Sequence, residues 1–174
     1  MNWTDLLKAE MTSAYTTTEK LMDLVDADTL GWKPPAGQNW MTTGQLLMHL
    51  SDACGAPCRG FATGEWGLPQ GVSPADMKPD DMLPPAEKMP SITSVAEAKR
   101  LLSEDRKTAF RMIEETGEQG LLTKVAPAPW DPRPLPLGER FLQMAEHLKQ
   151  HKGQLYYYLK LQGKPVNTGH LWGM

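Results

Sequence analysis

The chain has 174 residues, 40% hydrophobic and 22% charged, with a formal net charge of -3. That is an ordinary globular composition. With no Lys/Arg run longer than Lys99-Arg100, it argues against direct nucleic-acid binding. No apolar run approaches transmembrane length, and nothing calls for an oxidising compartment, so one cytoplasmic domain spanning 1–174, off the membrane, is expected.

Four segments carry helical periodicity. The first runs from about Thr4 to Val25, with Leu7, Met11, Ala14, Thr18, Leu21 and Val25 in the 4-3-4-3 rhythm of a packed bundle helix. Gly31 and Pro34-Pro35 then break the pattern. The second helix opens near Thr42, where Thr42 and Gln45 form a capping box. Its stripe is Leu47, Leu50, Cys54, Cys58 and Phe61, and Pro57 should kink or shorten it. Cys54 and Cys58 fall one helical turn apart, where disulfide geometry is rare. They read as small buried hydrophobes, with a metal pair the lesser reading.

From Glu65 to Pro90 the periodicity vanishes and six prolines intervene. Ser94 and Glu97 suggest a second capping box, opening a third helix whose seam is Val95, Ala98, Leu102, Asp105, Ala109 and Met112 and which Gly117 should end. A Pro-rich connector, "APAPWDPRPLP" (126–136), leads to a fourth helix from Leu137 to Gly163. No strand alternation stands out. The expected fold is therefore all-α, a four-helix bundle. The long link at 65–93 is enough to cross a helix of about 30 Å, so helices two and three should run parallel, with the loop crossing over.

The fourth helix holds the sharpest chemical signal. In "MAEHLKQHKGQLYYYL", His147 and His151 lie four apart, and the seam Leu137, Phe141, Met144, Leu148, His151, Leu155, Tyr158 puts His151 on the core side. Imidazoles at that spacing can share one ion at about 2.0–2.1 Å. The intervening Leu-Lys-Gln excludes the HExxH zinc-protease motif and its built-in base. Alone the pair is a weak signal. His49, beside Leu47 and Leu50 on the second helix, offers a third imidazole, and three histidines leave ligand positions open for catalysis. No Glu-x-x-His pair supports a carboxylate-bridged di-iron bundle.

Other polar residues have two readings each. Asp52 shares the face of His49 and is either an acceptor orienting a ligand imidazole or a solvated carboxylate. Asp105 interrupts an apolar seam; a site-facing base is one reading, and a surface position, by a small change of helix phase, is the preferred one. Gln154 and Tyr158 continue the histidine stripe as substrate contacts or as packing and capping groups.

Two stretches, "NWMTTGQLLMHLSDA" and "HLKQHKGQLYYYLKLQGKPV", resemble the DinB/YfiT-like metalloenzymes, a helical-bundle family distinct from the DNA polymerase of similar name. The family's second helix carries a histidine in an apolar run behind a Trp-Ser/Thr entry, matched by Trp40, Thr42, Thr43 and His49. Its fourth helix carries H-x-x-x-H-x-G-Q-x-x-x-Y-L-R-x-x-G. His147, His151, Gly153, Gln154, Tyr158, Leu159 and Gly163 match, and Lys160 replaces the usual arginine. The stronger motif covers only the C-terminal fifth, but the helix order fits nearly the whole chain.

The resemblance implies an up-down-down-up bundle, frequently a homodimer, with a divalent metal, commonly nickel or zinc, on His49, His147 and His151. It also implies a small-molecule substrate and, for some relatives, a low-molecular-weight thiol such as bacillithiol, mycothiol or glutathione. The tail "VNTGHLWGM" departs from the family pattern, and His170 is expected to be exposed rather than a fourth ligand. Two functions follow: a metal-dependent hydrolase or thiol-dependent transferase, or a stress-related bundle that binds metal without catalysis. The Pro-rich links at 65–93 and 117–136 are expected to shape the pocket mouth.

Overall fold

Asn2 opens the first helix by accepting the backbone N–H of Asp5 at 2.8 Å, satisfying a donor that would otherwise be orphaned. The computed structural model describes residues 2–68, 71–72, 76–77 and 84–174. Within them the chain is mostly helical, with one small two-stranded sheet. Helix α1 spans Trp3–Met22, and its expected seam residues Leu7, Met11, Ala14, Thr18 and Leu21 are buried.

The segment read as a second helix is two helices. Helix α2 is Thr43–Leu50, opened by the Thr42–Gln45 capping box. Helix α3 is Gly55–Thr63. Pro57 sits in the first turn of α3, where a missing N–H costs nothing. In one continuous helix the N–H of residue 57 would bond the carbonyl of Ala53, and proline cannot supply it. The helix therefore stops, and Asp105 caps the new start by accepting from the Gly55 and Ala56 N–H groups, both at 2.8 Å. The fit is close, because a Cβ on Gly55 would lie 2.0 Å from the Asp105 carbonyl oxygen.

Helix α4, Val95–Thr123, begins as expected with Ser94 accepting from Glu97. Its box is displaced by one residue, since Glu97 reaches back to Thr93 rather than to Ser94. As expected, the helical backbone stops at Gly117, at φ 64° and ψ 166°, and a second helical stretch then follows to Thr123. The connector predicted to lack regular structure forms a hairpin, β1 Val125–Ala128 and β2 Asp131–Pro136. The strands are antiparallel, with Val125 opposite Pro136 and a register irregularity between Ala126 and Ala128. Prolines 127, 132, 134 and 136 remove ladder donors, which hid the strands in the sequence. The side chain of Arg140 compensates, donating to the carbonyls of Ala126, Asp131 and Arg133. Helix α5 is Leu137–Leu161. A short helix α6, Thr168–Trp172, occupies the tail and is held by Lys20 and Lys152 on the carbonyls of Gly173 and Leu171.

Polar pairs give the helix directions. Lys8–Glu114, Tyr15–Asp105 and Asp23–Lys99 run α1 against α4. Glu10–Lys149 and the seating of Trp3 on Gly138 run α1 alongside α5. Gln162–Thr43 and His147–His49 run α2 against α5, while Ser51–Ala98 and Gly55–Asp105 run α2 and α3 alongside α4. Of the long connection, residues 69–70, 73–75 and 78–83, with Pro69, Pro74 and Pro79, lie outside the described residues. Its end is tied to α2, because the Gln45 side-chain amide donates to the carbonyls of Ala86 and Met89. Among the described residues no helix is long and apolar enough to cross a membrane.

Candidate metal centre

His49 projects from the last turn of α2, and His147 and His151 from successive turns of α5. Each offers one ring nitrogen, and these three atoms lie within 4.8 Å of one another. The Nε2 atoms of His49 and His147 are 3.2 Å apart. Two nitrogens held tetrahedrally at about 2.05 Å from one ion would be separated by roughly 3.3 Å, so this spacing suits shared coordination. Ring centroids are 4.3 to 5.0 Å apart, with no two rings stacked face to face.

The outer nitrogens are engaged elsewhere. His147 Nδ1 lies 3.0 Å from the carbonyl oxygen of Ala53. That is the carbonyl released by Pro57, so the interruption of the second helix creates the acceptor that orients a histidine on α5. His151 Nδ1 lies 3.0 Å from the side-chain oxygen of Gln154. Both partners are acceptors, so each Nδ1 carries the proton and each Nε2 lone pair faces inward. Gln154 in turn donates to the Tyr158 hydroxyl, which donates to the Met41 carbonyl at 2.8 Å. Gln154 and Tyr158 thus brace the site from behind; neither lines the cavity in front of it.

The charge state favours ligation. Burial, then the neighbouring His151 and His147, lowers the His49 pKa to about 3. Burial also lowers that of His151. Both are neutral near pH 7, as metal ligands must be. Asp52 lines the same cavity as the histidines. Asp52 is exposed to solvent at the cavity, and the protein packed around it, with the Asp105 carboxylate, pushes its carboxyl up to about 7.

Asp105 corrects the sequence reading, which preferred the surface. It is only 7% exposed and accepts the Tyr15 hydroxyl at 2.6 Å as well as the two N–H groups of α3. Burial raises its pKa in spite of these bonds. Its role there is structural, and it does not line the cavity. Cys54 and Cys58 are fully buried and free, as the sequence indicated. His170 is half-buried rather than fully exposed, bonds Asn167 in the tail, and stands outside the histidine cluster.

The histidines open onto a cavity of about 1310 Å³, larger than the roughly 300–1,000 Å³ usual for small-molecule sites. Its lining includes Met41, Trp66, Met89, Trp130 and Met144. Sequence reading missed this wall. The only signal was tryptophan in two polar, Pro/Gly-rich links, which is weak evidence without a fold.

The helical fold and the three-histidine cluster define the class of protein. The family model described as the DinB superfamily matches residues 10–155, and the chain belongs to that superfamily. Neither a curated protein nor a solved structure matches it.

The titrations predict a pH dependence for the metal-free protein. His49 takes up a proton near pH 6.5 when unfolded but only near 3 when folded. Stability is therefore lost as pH falls through that window, by at most about 1.4 kcal/mol per pH unit per group, with His151 adding to the same trend. Asp52, raised from 3.8 to about 7, acts oppositely, since its contribution is complete below 3.8 and fades as pH rises to 7. Urea unfolding between pH 4 and 6.5 should therefore show Asp52→Asn losing stability on acidification more steeply than wild type.

Proposed function

We propose that His49, His147 and His151 hold one divalent metal ion, zinc or nickel, and that the protein is a metal-dependent enzyme acting on a small molecule by hydrolysis or thiol transfer. The observation that carries this reading is three imidazole nitrogens gathered within 4.8 Å of one another and opening onto a large cavity. A site sealed by side chains would have suited the alternative, a metal-binding bundle without turnover. An up-down-down-up four-helix bundle, formed by α1, α2 with α3, α4 and α5 in a single domain, belongs to the same proposal. The helix directions drawn from the polar pairs support it.

A bound divalent ion supplies Lewis acidity and lowers the pKa of a water or thiol at its open positions. The protein's own groups do the rest. Ala53 and Gln154 hold two imidazoles in one tautomer and orientation. Asp52, with a pKa near neutrality, is placed to take a proton from a nucleophile and return it to a leaving group, the range that suits a general acid–base. A nearby cation would draw that pKa down and favour the base form.

Reconstitution of untagged protein with zinc or nickel tests the reading, with about one equivalent expected. Less than about a tenth of an equivalent would overturn it. A screen of low-molecular-weight thiols against the loaded protein separates transfer from hydrolysis.

A further inference from the structure

One wall of the cavity is aromatic and carefully supported. Trp66 follows α3, and its ring rests on that helix's backbone, so a Cβ on Gly60 would come within 2.4 Å of it. Trp130 sits at the tip of the hairpin. Phe61, Trp66 and Trp130 meet edge to face, with centroids 5.0, 6.0 and 5.9 Å apart. Arg140 fastens the arrangement. Its guanidinium lies 5.5 Å from the centre of the Phe61 ring and binds the hairpin carbonyls and Asp131. Yet Trp130 remains 44% exposed. Leaving that much indole in water forgoes the gain from covering it, and a ligand lying on the wall would recover it.

Charge narrows the ligand. Among the described lining residues the cations are Arg133 and Arg140, and both are paired with Asp131. The Arg133 guanidinium holds the Asp131 carboxyl well below the usual carboxylate range, so this pairing persists through neutral pH. The remaining lining charges, Asp52, Glu139 and Glu146, are acids. Two guanidiniums thus share one carboxylate, but among the described lining residues Asp52, Asp131, Glu139 and Glu146 outnumber them, which disfavours an acidic group away from the histidines.

We infer that the substrate carries an uncharged apolar body, which lies on Trp66 and Trp130 while its polar reacting end reaches His49, His147 and His151. The inference rests on the metal reading above and specifies its substrate class. Trp66 and Trp130 are then specificity residues, and Gly60 and Arg140 position them.

Hydroxamates of graded tail test it on the zinc-loaded protein by calorimetry. Octanohydroxamate should bind about tenfold tighter than acetohydroxamate, as expected for an apolar tail on an indole wall. Trp130→Ala and Gly60→Ala should erase that advantage without changing zinc content or acetohydroxamate affinity. The monohydroxamate of suberic acid, whose tail ends in a carboxylate, should not share the advantage. Octanamide, with the same tail and no chelating group, should bind the metal-free chain in saturation-transfer NMR and lose that signal in Trp130→Ala. Failure of the protein to retain zinc would overturn the metal reading and leave the octanamide result to decide the wall. Equal binding of octanoyl probes to wild type and Trp130→Ala would overturn the wall, with the metal reading intact.

Discussion

His151→Ala should abolish stoichiometric metal binding, while His170→Ala should leave it unchanged. Of the three proposed ligands His151 has the most complete support: its Nδ1 is held by Gln154, Gln154 by Tyr158, and Tyr158 by the Met41 carbonyl. Its removal leaves two imidazoles from different helices and an ion with too few protein ligands for a stable site. Loss of an outer partner alone typically costs about 10–100-fold in affinity, so loss of the ligand itself should exceed about 100-fold. His170 lies in α6, bonded to Asn167. Metal analysis after reconstitution and dialysis decides the matter, and a His151→Ala protein retaining a full equivalent would exclude the proposed centre. Gln154→Ala should fall between the two, with the metal bound but more weakly.

Asp105→Ala should be the most destabilising single change considered. It strands the Tyr15 hydroxyl and the Gly55 and Ala56 N–H groups in the protein interior. Each unmet buried donor costs about 1–3 kcal/mol, and partial relaxation brings the expected total to about 3–5 kcal/mol. For a chain of this size that lowers Tm by about 10 °C. The same substitution should weaken metal binding, although Asp105 touches no ligand. It anchors the junction between α2 and α3, and that junction carries Ala53, the acceptor for His147. Calorimetric unfolding together with metal titration tests both effects. An unchanged Tm would show that the three contacts are dispensable.

The helices were legible because they bury one stripe each. The 4-3 rhythm of Leu7, Met11, Ala14, Thr18 and Leu21 comes directly from packing one face on the core, and Thr42–Gln45 is a local cap needing no tertiary partner. Two of the three histidines were legible for a similar reason, since helical spacing places His147 and His151 together before any fold is known, whereas His49 was reached through its apolar neighbours and the family resemblance. What escaped was long-range or backbone-borne. The acceptor for His147 is a main-chain oxygen 94 residues away in sequence, and sequence reading sees side chains only. Asp105 looked misplaced in its apolar seam because its partners are a tyrosine on α1 and the first turn of α3. The hairpin was hidden by its prolines, since its missing donors are replaced by a side chain from α5.

The division of labour between helices and hairpin bears on how such proteins diversify. The imidazoles stand on helices locked into the main core, where a shift of one side chain disturbs many others. The aromatic wall instead stands on a link and a hairpin fastened by one arginine, and connecting segments tolerate change better than the elements they join. Descendants of this chain could therefore exchange residues 125–136 and reshape the wall while inheriting the same three histidines. Relatives that share His49, His147 and His151 should then differ first in the hairpin.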